Sequence, residues 1–306
     1  MLFRTLILKA SSWGPIKRLV TQSAIFRPTV RRFIAGDTAA EAMQVAENLA
    51  EQGFFVSLDY LGENVATAEE ANRTTDAYIE VCQLIAASPQ RDRINISIKL
   101  TALGMDQGDD LAEANYRKLL EKASESDTFV RADMEASEYT ERTITMVERV
   151  FARFKNTGTV LQSYLFRTSE DVDRLIRIGC RVRMVKGAYL ESEKVAYQDK
   201  AEVDRQYVDL SKRLMLRAKY PAIASHDAAI IDELVRFARS EKIDPSRFEF
   251  QMLYGIRRDL QASLKEDGFN VRVYIPYGES WYPYFSRRLA ERPANIFFIA
   301  KSMFRK

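Results

Sequence analysis

Two short stretches of this 306-residue chain carry side chains whose types and spacing could do chemistry. The first is RVRMVKGAY at 181–189, where Arg183 and Lys186 bring positive charge to what reads as a strand end. Gly187 and Ala188 keep the backbone open there, so a flat ring or a phosphate could approach closely. The plainer reading is a strand ending in a turn, with both cations paired to acids. The second is YFSRRLAE at 284–291. Tyr284, Arg287 or Arg288, and Glu291 recur at helical spacing and share a face. Adjacent arginines on a helix are usually solvated. If this helix closes the mouth of a site, their planar forks can grip a carboxylate in bidentate fashion. Lys99 would then add a third cation, with Asp133 nearby as counter-charge or proton handler.

Other chemistries find no footing. There is no GxGxxG and no GxxxxGK[ST], so the common phosphate loops are absent. One histidine, His226, allows neither a multi-histidine metal site nor a Ser-His-Asp triad of the usual spacing. Cys82 and Cys180 are the only cysteines. They fall in different predicted elements and read as buried thiols rather than a disulfide or metal framework.

The elements that must position these residues alternate regularly. Strands are expected at 55–61, 94–100, 129–135, 160–166, 181–189, 222–227, 248–255 and 271–278. Amphipathic helical stretches such as TAEEANRTTDAYIEVCQLIAAS separate them. Eight βα units in a chain of this length imply a parallel sheet closed as a (βα)₈ TIM barrel. The first 53 or so residues read as added N-terminal helices, with one helix at about 38–52. The helix at 284–291 closes the barrel mouth, and the whole chain 1–306 reads as one domain. Active sites of this fold sit at the C-terminal strand ends. Lys99, Asp133, Gln162, Lys186, His226, Gln251 and Tyr274 all fall there. A buried polar residue costs free energy unless paired or hydrated, so seven on one rim suggest a site.

Net charge is only +3, which argues against a nucleic-acid partner. No apolar run reaches the roughly 18 residues of a membrane span. Both termini are basic and apolar. They read as packed helices that also suit contact with an anionic membrane surface.

At this point the residues resemble a family. ISIKLTALG, VRADME, VLQSYL, RMVKGAY, SHD, FEFQMLYG, VRVYIPYG and WYPYFSRRLAERPAN, in this order from about Arg31 onward, are similar to the motifs of single-domain bacterial proline dehydrogenases. The proline dehydrogenase domain of bifunctional proline utilisation proteins carries them too. The resemblance implies FAD as cofactor and L-proline as substrate, oxidised to Δ¹-pyrroline-5-carboxylate. It implies a quinone as electron acceptor, a downstream pyrroline-5-carboxylate dehydrogenase, and a place in the bacterial cytoplasm, peripheral to the membrane. It gives Lys99, Arg287 and Arg288 the proline carboxylate, with Glu291 ordering the arginines. Asp133 and Arg183 become the catalytic positions flanking the flavin. Met134, Gln162, Arg183, Val185, Lys186, Gly187, Ala188, Ser225 and His226 become cofactor contacts, and Tyr189, Leu253, Tyr274 and Tyr284 the box around the proline ring. The family usually has Thr-His where this chain has Ser225-His226; the hydroxyl survives. Two other readings of the same residues are a Schiff-base aldolase using Lys99 or Lys186 and a non-catalytic flavin-binding barrel.

Overall fold

A computed structural model describes residues 30–62 and 65–291, with side chains through Ser286. Eight parallel strands close into a barrel in sequential order. They are β1 (Phe55–Tyr60), β2 (Ile94–Ile98), β3 (Val130–Ala132), β4 (Thr157–Gln162), β5 (Arg181–Val185), β6 (Ala222–Ala224), β7 (Glu249–Leu253) and β8 (Asn270–Tyr277). Among the described residues, the helices are α1 (Ala39–Glu51), α2 (Ala68–Ala87), α3 (Asp109–Ser124), α4 (Thr140–Phe151), α5 (Thr168–Ile178), α6 (Lys200–Arg217), α7 (Ala228–Ser240), α8 (Arg258–Glu266) and α9 (Tyr282–Glu291). The TIM-barrel expectation is met. The helix expected at 38–52 is α1, which starts at a capping box. The Thr38 hydroxyl accepts from the Glu41 amide, and the Glu41 carboxylate accepts from the Thr38 amide; each satisfies an otherwise orphaned backbone donor. The basic termini expected to be helical lie outside the described residues, 1–29 and 292–306.

Alternation along the strands sorts the barrel into two environments. Val56, Leu58, Ile96, Ile98, Val182, Met184, Phe250, Val271 and Val273 belong to one apolar core with helix residues such as Tyr78, Leu119 and Leu234. The opposite parity faces inward. Its contacts are polar. Ser57 Oγ meets Ser97 Oγ at 3.1 Å, and Arg272 Nε donates to Glu249 Oε1 at 2.8 Å. The usual barrel interior is filled by branched aliphatic residues; here charges fill it.

Every strand differs from its expected range by at least one residue; β6 stops at Ala224 rather than at 227, and β3, β4 and β5 show why. β4 begins three residues early, because the Thr157–Gly158 step that resembles a turn is strand. A Cβ at Gly158 would lie 2.3 Å from the Arg181 carbonyl oxygen and 2.9 Å from the Phe129 ring, so only glycine lets β5 pair there. β3 ends at Ala132 and β5 at Val185; the residues beyond leave the ladder to build the mouth. The cysteines are buried thiols as expected, and burial pushes both up to about 12. No described helix is long and apolar enough to cross a membrane.

The lower barrel depends on one carboxylate. Glu249 is fully buried, accepts from Arg272, and receives the Tyr220 hydroxyl at 3.1 Å. Burial pushes its carboxyl up, but Arg272, then Arg131 and Arg181, outweigh this and hold it down at about 2 from 4.5. A depressed carboxyl contributes stability above its unfolded value, and that contribution is lost as pH falls from about 4.5 toward about 2, roughly 3 kcal/mol in all. We expect Glu249→Gln to lower unfolding free energy at pH 7 by about 3–5 kcal/mol, the scale of breaking a buried pair. The variant should also lose much of the decline in stability between pH 5 and 3. Urea denaturation at several pH values measures both; identical curves for the two proteins would refute the role.

Candidate active site

At the C-terminal mouth, the strand ends bring together Lys99, Asp133, Arg183, Gln251 and Tyr274, all expected, and add Ser97 and Asp59, which the sequence reading did not single out. Arg183, on β5 and 4% exposed, is the hub. Its Nη1 donates to Asp133 Oδ1 at 2.6 Å, its Nη2 to Ser97 Oγ at 3.1 Å, and its Nε to the Gln251 side-chain oxygen. Its guanidinium also lies 5.1 Å from the Tyr274 ring centroid. Tyr274 Oη donates to Asp133 Oδ2 at 2.7 Å. Burial, then Asp133 and Asp59, push that phenol well above its ordinary value, so it stays a protonated donor. Lys99 follows β2, and its Nζ lies 2.9 Å from Asp59 Oδ1.

Asp59 is the missed partner of Lys99. It is 1% exposed on β1, inward like Ser57. Burial pushes its carboxyl up; Lys99 opposes this and Asp133 adds to it. Asp133, expected as a counter-charge or proton handler, pairs with Arg183, and Asp59 pairs with Lys99. The signal was present as an acid two residues after Ser57 in FVSLDYL, where alternation sends both side chains inward. Gln251, noted only as a polar strand-end residue, joins the two halves of the interior. It accepts from Arg183 and donates to Glu249.

The remaining expected residues line the rim. Met134 is buried, and the Gln162 amide donates to the Glu135 carbonyl at 2.9 Å. Glu135, also unpredicted, accepts from the Thr101 hydroxyl at 2.6 Å. Val185 is half-buried at the end of β5, Ala188 is exposed and Tyr189 half-buried. Lys186 Nζ lies 2.5 Å from Asp204 and 3.3 Å from Asp227, so the acids weighed as its plain partners are there. Ser225 Oγ accepts from the Asp227 amide at 3.1 Å. His226 Nε2 accepts from the Leu253 amide at 2.9 Å. That bond requires an unprotonated Nε2 and makes the imidazole the neutral Nδ1–H form. Leu253 packs against a cluster holding Tyr284, Phe285, Phe33, Ile34, Leu61 and Ile256. Tyr284 is thus buried at the mouth rather than a surface residue. The side chains of Arg287, Arg288 and Glu291 lie outside the described residues; their backbone continues α9. Among the described residues, no group of three or more histidine, cysteine or acidic side chains could hold a metal ion.

A closed parallel barrel with buried, mutually paired ionisable groups at its C-terminal mouth has the architecture of a TIM-barrel enzyme. Comparison with known proteins narrows this. The family model described as Proline dehydrogenase matches residues 42–301. Proline dehydrogenase 1 of Bacillus subtilis subsp. natto is 40% identical over 276 residues, covering 90% of this chain and 91% of that protein. The proline dehydrogenase of Deinococcus radiodurans is 37% identical over 305 residues, covering 99% of this chain and 98% of that protein. A crystal structure of proline utilization A from Bdellovibrio bacteriovorus, inactivated by N-propargylglycine, superposes with a TM-score of 0.81 at 26% identity. It covers 95% of this chain, which spans only 36% of that longer one. The chain belongs to the proline dehydrogenase family.

Gly187 is a tight point of the rim. Its φ is +130°, and a Cβ would lie 2.5 Å from the Tyr164 ring. We expect Gly187→Ala to cost at least about 1–2 kcal/mol in backbone strain alone. Displacing Tyr164 adds to this, so Tm falls by several degrees or more. A thermal melt matching the wild type would show that the loop relaxes without cost.

Proposed function

We propose that this chain oxidises L-proline to Δ¹-pyrroline-5-carboxylate, with FAD bound non-covalently at the barrel mouth and a quinone as final electron acceptor. It acts as one barrel domain in the bacterial cytoplasm, its basic ends suited to peripheral contact with the membrane that holds the quinone. A separate pyrroline-5-carboxylate dehydrogenase would take the product. The observation that carries the reading is the chain of buried charge running from Lys99–Asp59 through Tyr274 to Asp133–Arg183. It supports the reading because Lys99 could meet a carboxylate at one end and the Arg183 guanidinium an electron-rich ring at the other.

The residues fit the cofactor. Arg183 commits three N–H groups of the five a guanidinium has, so it retains donors for a ring nitrogen. Lys186 touches two acids, and an ammonium has three N–H groups, so it can share itself with a pyrophosphate. Met134, Gln162, Val185, Gly187, Ala188, Ser225 and neutral His226 would complete the contacts. FAD held there would supply the two-electron acceptor for oxidation at proline C5. The protein's part is placement. Arg287, Arg288 and Lys99 would anchor the carboxylate, with Glu291 ordering the arginine pair. Tyr189, Leu253, Tyr274 and Tyr284 would enclose the ring so that C5 is held in one orientation. Arg183 would stabilise negative charge on the reduced ring, held in place by Asp133, Ser97 and Gln251. The paired state of Lys99 speaks against a lysine nucleophile, since an ammonium held by a carboxylate is not the unprotonated amine that a Schiff base needs.

Steady-state oxidation of L-proline by wild type, Arg287→Met and Arg288→Met tests the anchor. Each variant should keep its flavin and raise KM about tenfold or more, the scale of one charge-assisted hydrogen bond. Unchanged KM in both would make the pair a solvated face. The buried Tyr284 should make trans-4-hydroxy-L-proline at least about tenfold worse in kcat/KM, since an unpaired buried hydroxyl costs about 1–3 kcal/mol. Tyr284→Ser should narrow that gap. Equal discrimination by both proteins would place the tyrosine outside the pocket.

A further inference from the structure

Asp59 has a job that the family reading does not assign. We propose that Asp59 is a positioning residue for substrate: it fixes the Lys99 ammonium at the barrel mouth in the place where that ammonium receives the substrate carboxylate. The inference rests on the proposed role of Lys99.

Four observations carry it. The pair is short, 2.9 Å, and both partners are buried, Asp59 at 1% and Lys99 at 7% exposure. A lysine stem has four rotatable carbons, and one buried acid at its tip restricts it to few conformations. The register is suitable: Asp59 pairs with Ser97 across the β1–β2 ladder, so the carboxylate comes from the strand beside the one that delivers the lysine. Ser57 and Ser97, hydrogen-bonded at 3.1 Å, pin the two strands one layer below. Asp133 already serves Arg183 and the Tyr274 hydroxyl, one on each oxygen, whereas Asp59 meets the Lys99 ammonium directly.

The surroundings explain why an acid is needed. Among the described residues, the titratable groups around Asp59 are Lys99, Asp133 and Tyr274, with Tyr60, Tyr78 and Tyr277 behind. Tyr78 and Tyr277 are pushed up chiefly by burial, and the Tyr78 hydroxyl donates to the Tyr60 carbonyl at 3.4 Å rather than to Asp59. A buried ammonium without a nearby carboxylate is strongly disfavoured. Asp59 supplies that carboxylate at 2.9 Å, and the three N–H groups of an ammonium let one centre serve more than one acceptor.

A double-mutant cycle on the flavin-loaded enzyme separates positioning from mere packing. Lys99→Gln should raise KM for proline about tenfold, and Asp59→Asn should raise it by a similar factor, the scale of one charge-assisted contact. In both, kcat should stay within about twofold and flavin content should be unchanged, because the lost interaction acts mainly on binding. The double variant should match Lys99→Gln alone, since residues acting through one another are not additive. Asp59→Glu, which keeps the charge on a longer arm, should fall between wild type and Asp59→Asn. Multiplying KM effects in the double variant, or a wild-type KM in Asp59→Asn, would overturn the inference while leaving Lys99 as an anchor. An unchanged KM in Lys99→Gln would overturn the Lys99 reading itself. If Asp59→Asn does not fold, Asp59→Glu decides: raised KM at retained kcat supports positioning, and wild-type KM refutes it.

Discussion

A charge carried into the interior of a barrel must meet an opposite charge or be neutralised, because solvation lost there is not regained from apolar neighbours. That constraint organises this protein. Arg183 and Arg272 are buried beside their acids, Asp133 and Glu249, and Lys99 beside Asp59; Arg131, buried too, donates to the Thr159 carbonyl. Gln251 passes a hydrogen bond between the layers. The result is a continuous polar column in which moving one group unsettles its neighbours. It spends stability that an aliphatic interior would supply and gains a fixed electrostatic field at the mouth. Preorganised charge of this kind needs no rearrangement when a reaction begins.

The same column accounts for the division of labour at the mouth. Two ion pairs face each other across the Tyr274 hydroxyl, which has one proton and gives it to Asp133. Asp59 and Asp133 repel one another, and Asp133 raises the Asp59 carboxyl. Each acid is tolerable only because its own cation is close. The planar fork of Arg183 holds three partners in fixed directions, which suits the proposed flavin side. Lys99, a compact charge, suits the proposed carboxylate side.

Much of the barrel was legible because its outer parity is apolar and β-branched. INISIKL and VRVYIPY alternate visibly, and the charged helical stretches between strands announce crossovers. What could not be read was pairing. Gly158 looks like a turn until the Arg181 carbonyl is seen 2.3 Å from where its Cβ would stand. Asp59 looks like the polar end of a strand until the β1–β2 register sets it beside Ser97 and so near Lys99. Arg183 and Asp133 were recognised as site residues, yet their bond spans β3 to β5, a relation no local spacing encodes. Lys186 shows the converse: its positive charge was legible, while the acids it meets, Asp204 and Asp227, come from a helix and a loop far along the chain.

The proposed function assigns this column to flavin-dependent oxidation of proline. An anaerobic absorption spectrum of the purified protein, before and after L-proline is added, tests it most directly. The account predicts a yellow protein that bleaches with proline and, once denatured, releases FAD into the supernatant. A colourless protein that takes up no added FAD, or one whose colour is indifferent to proline, would contradict it.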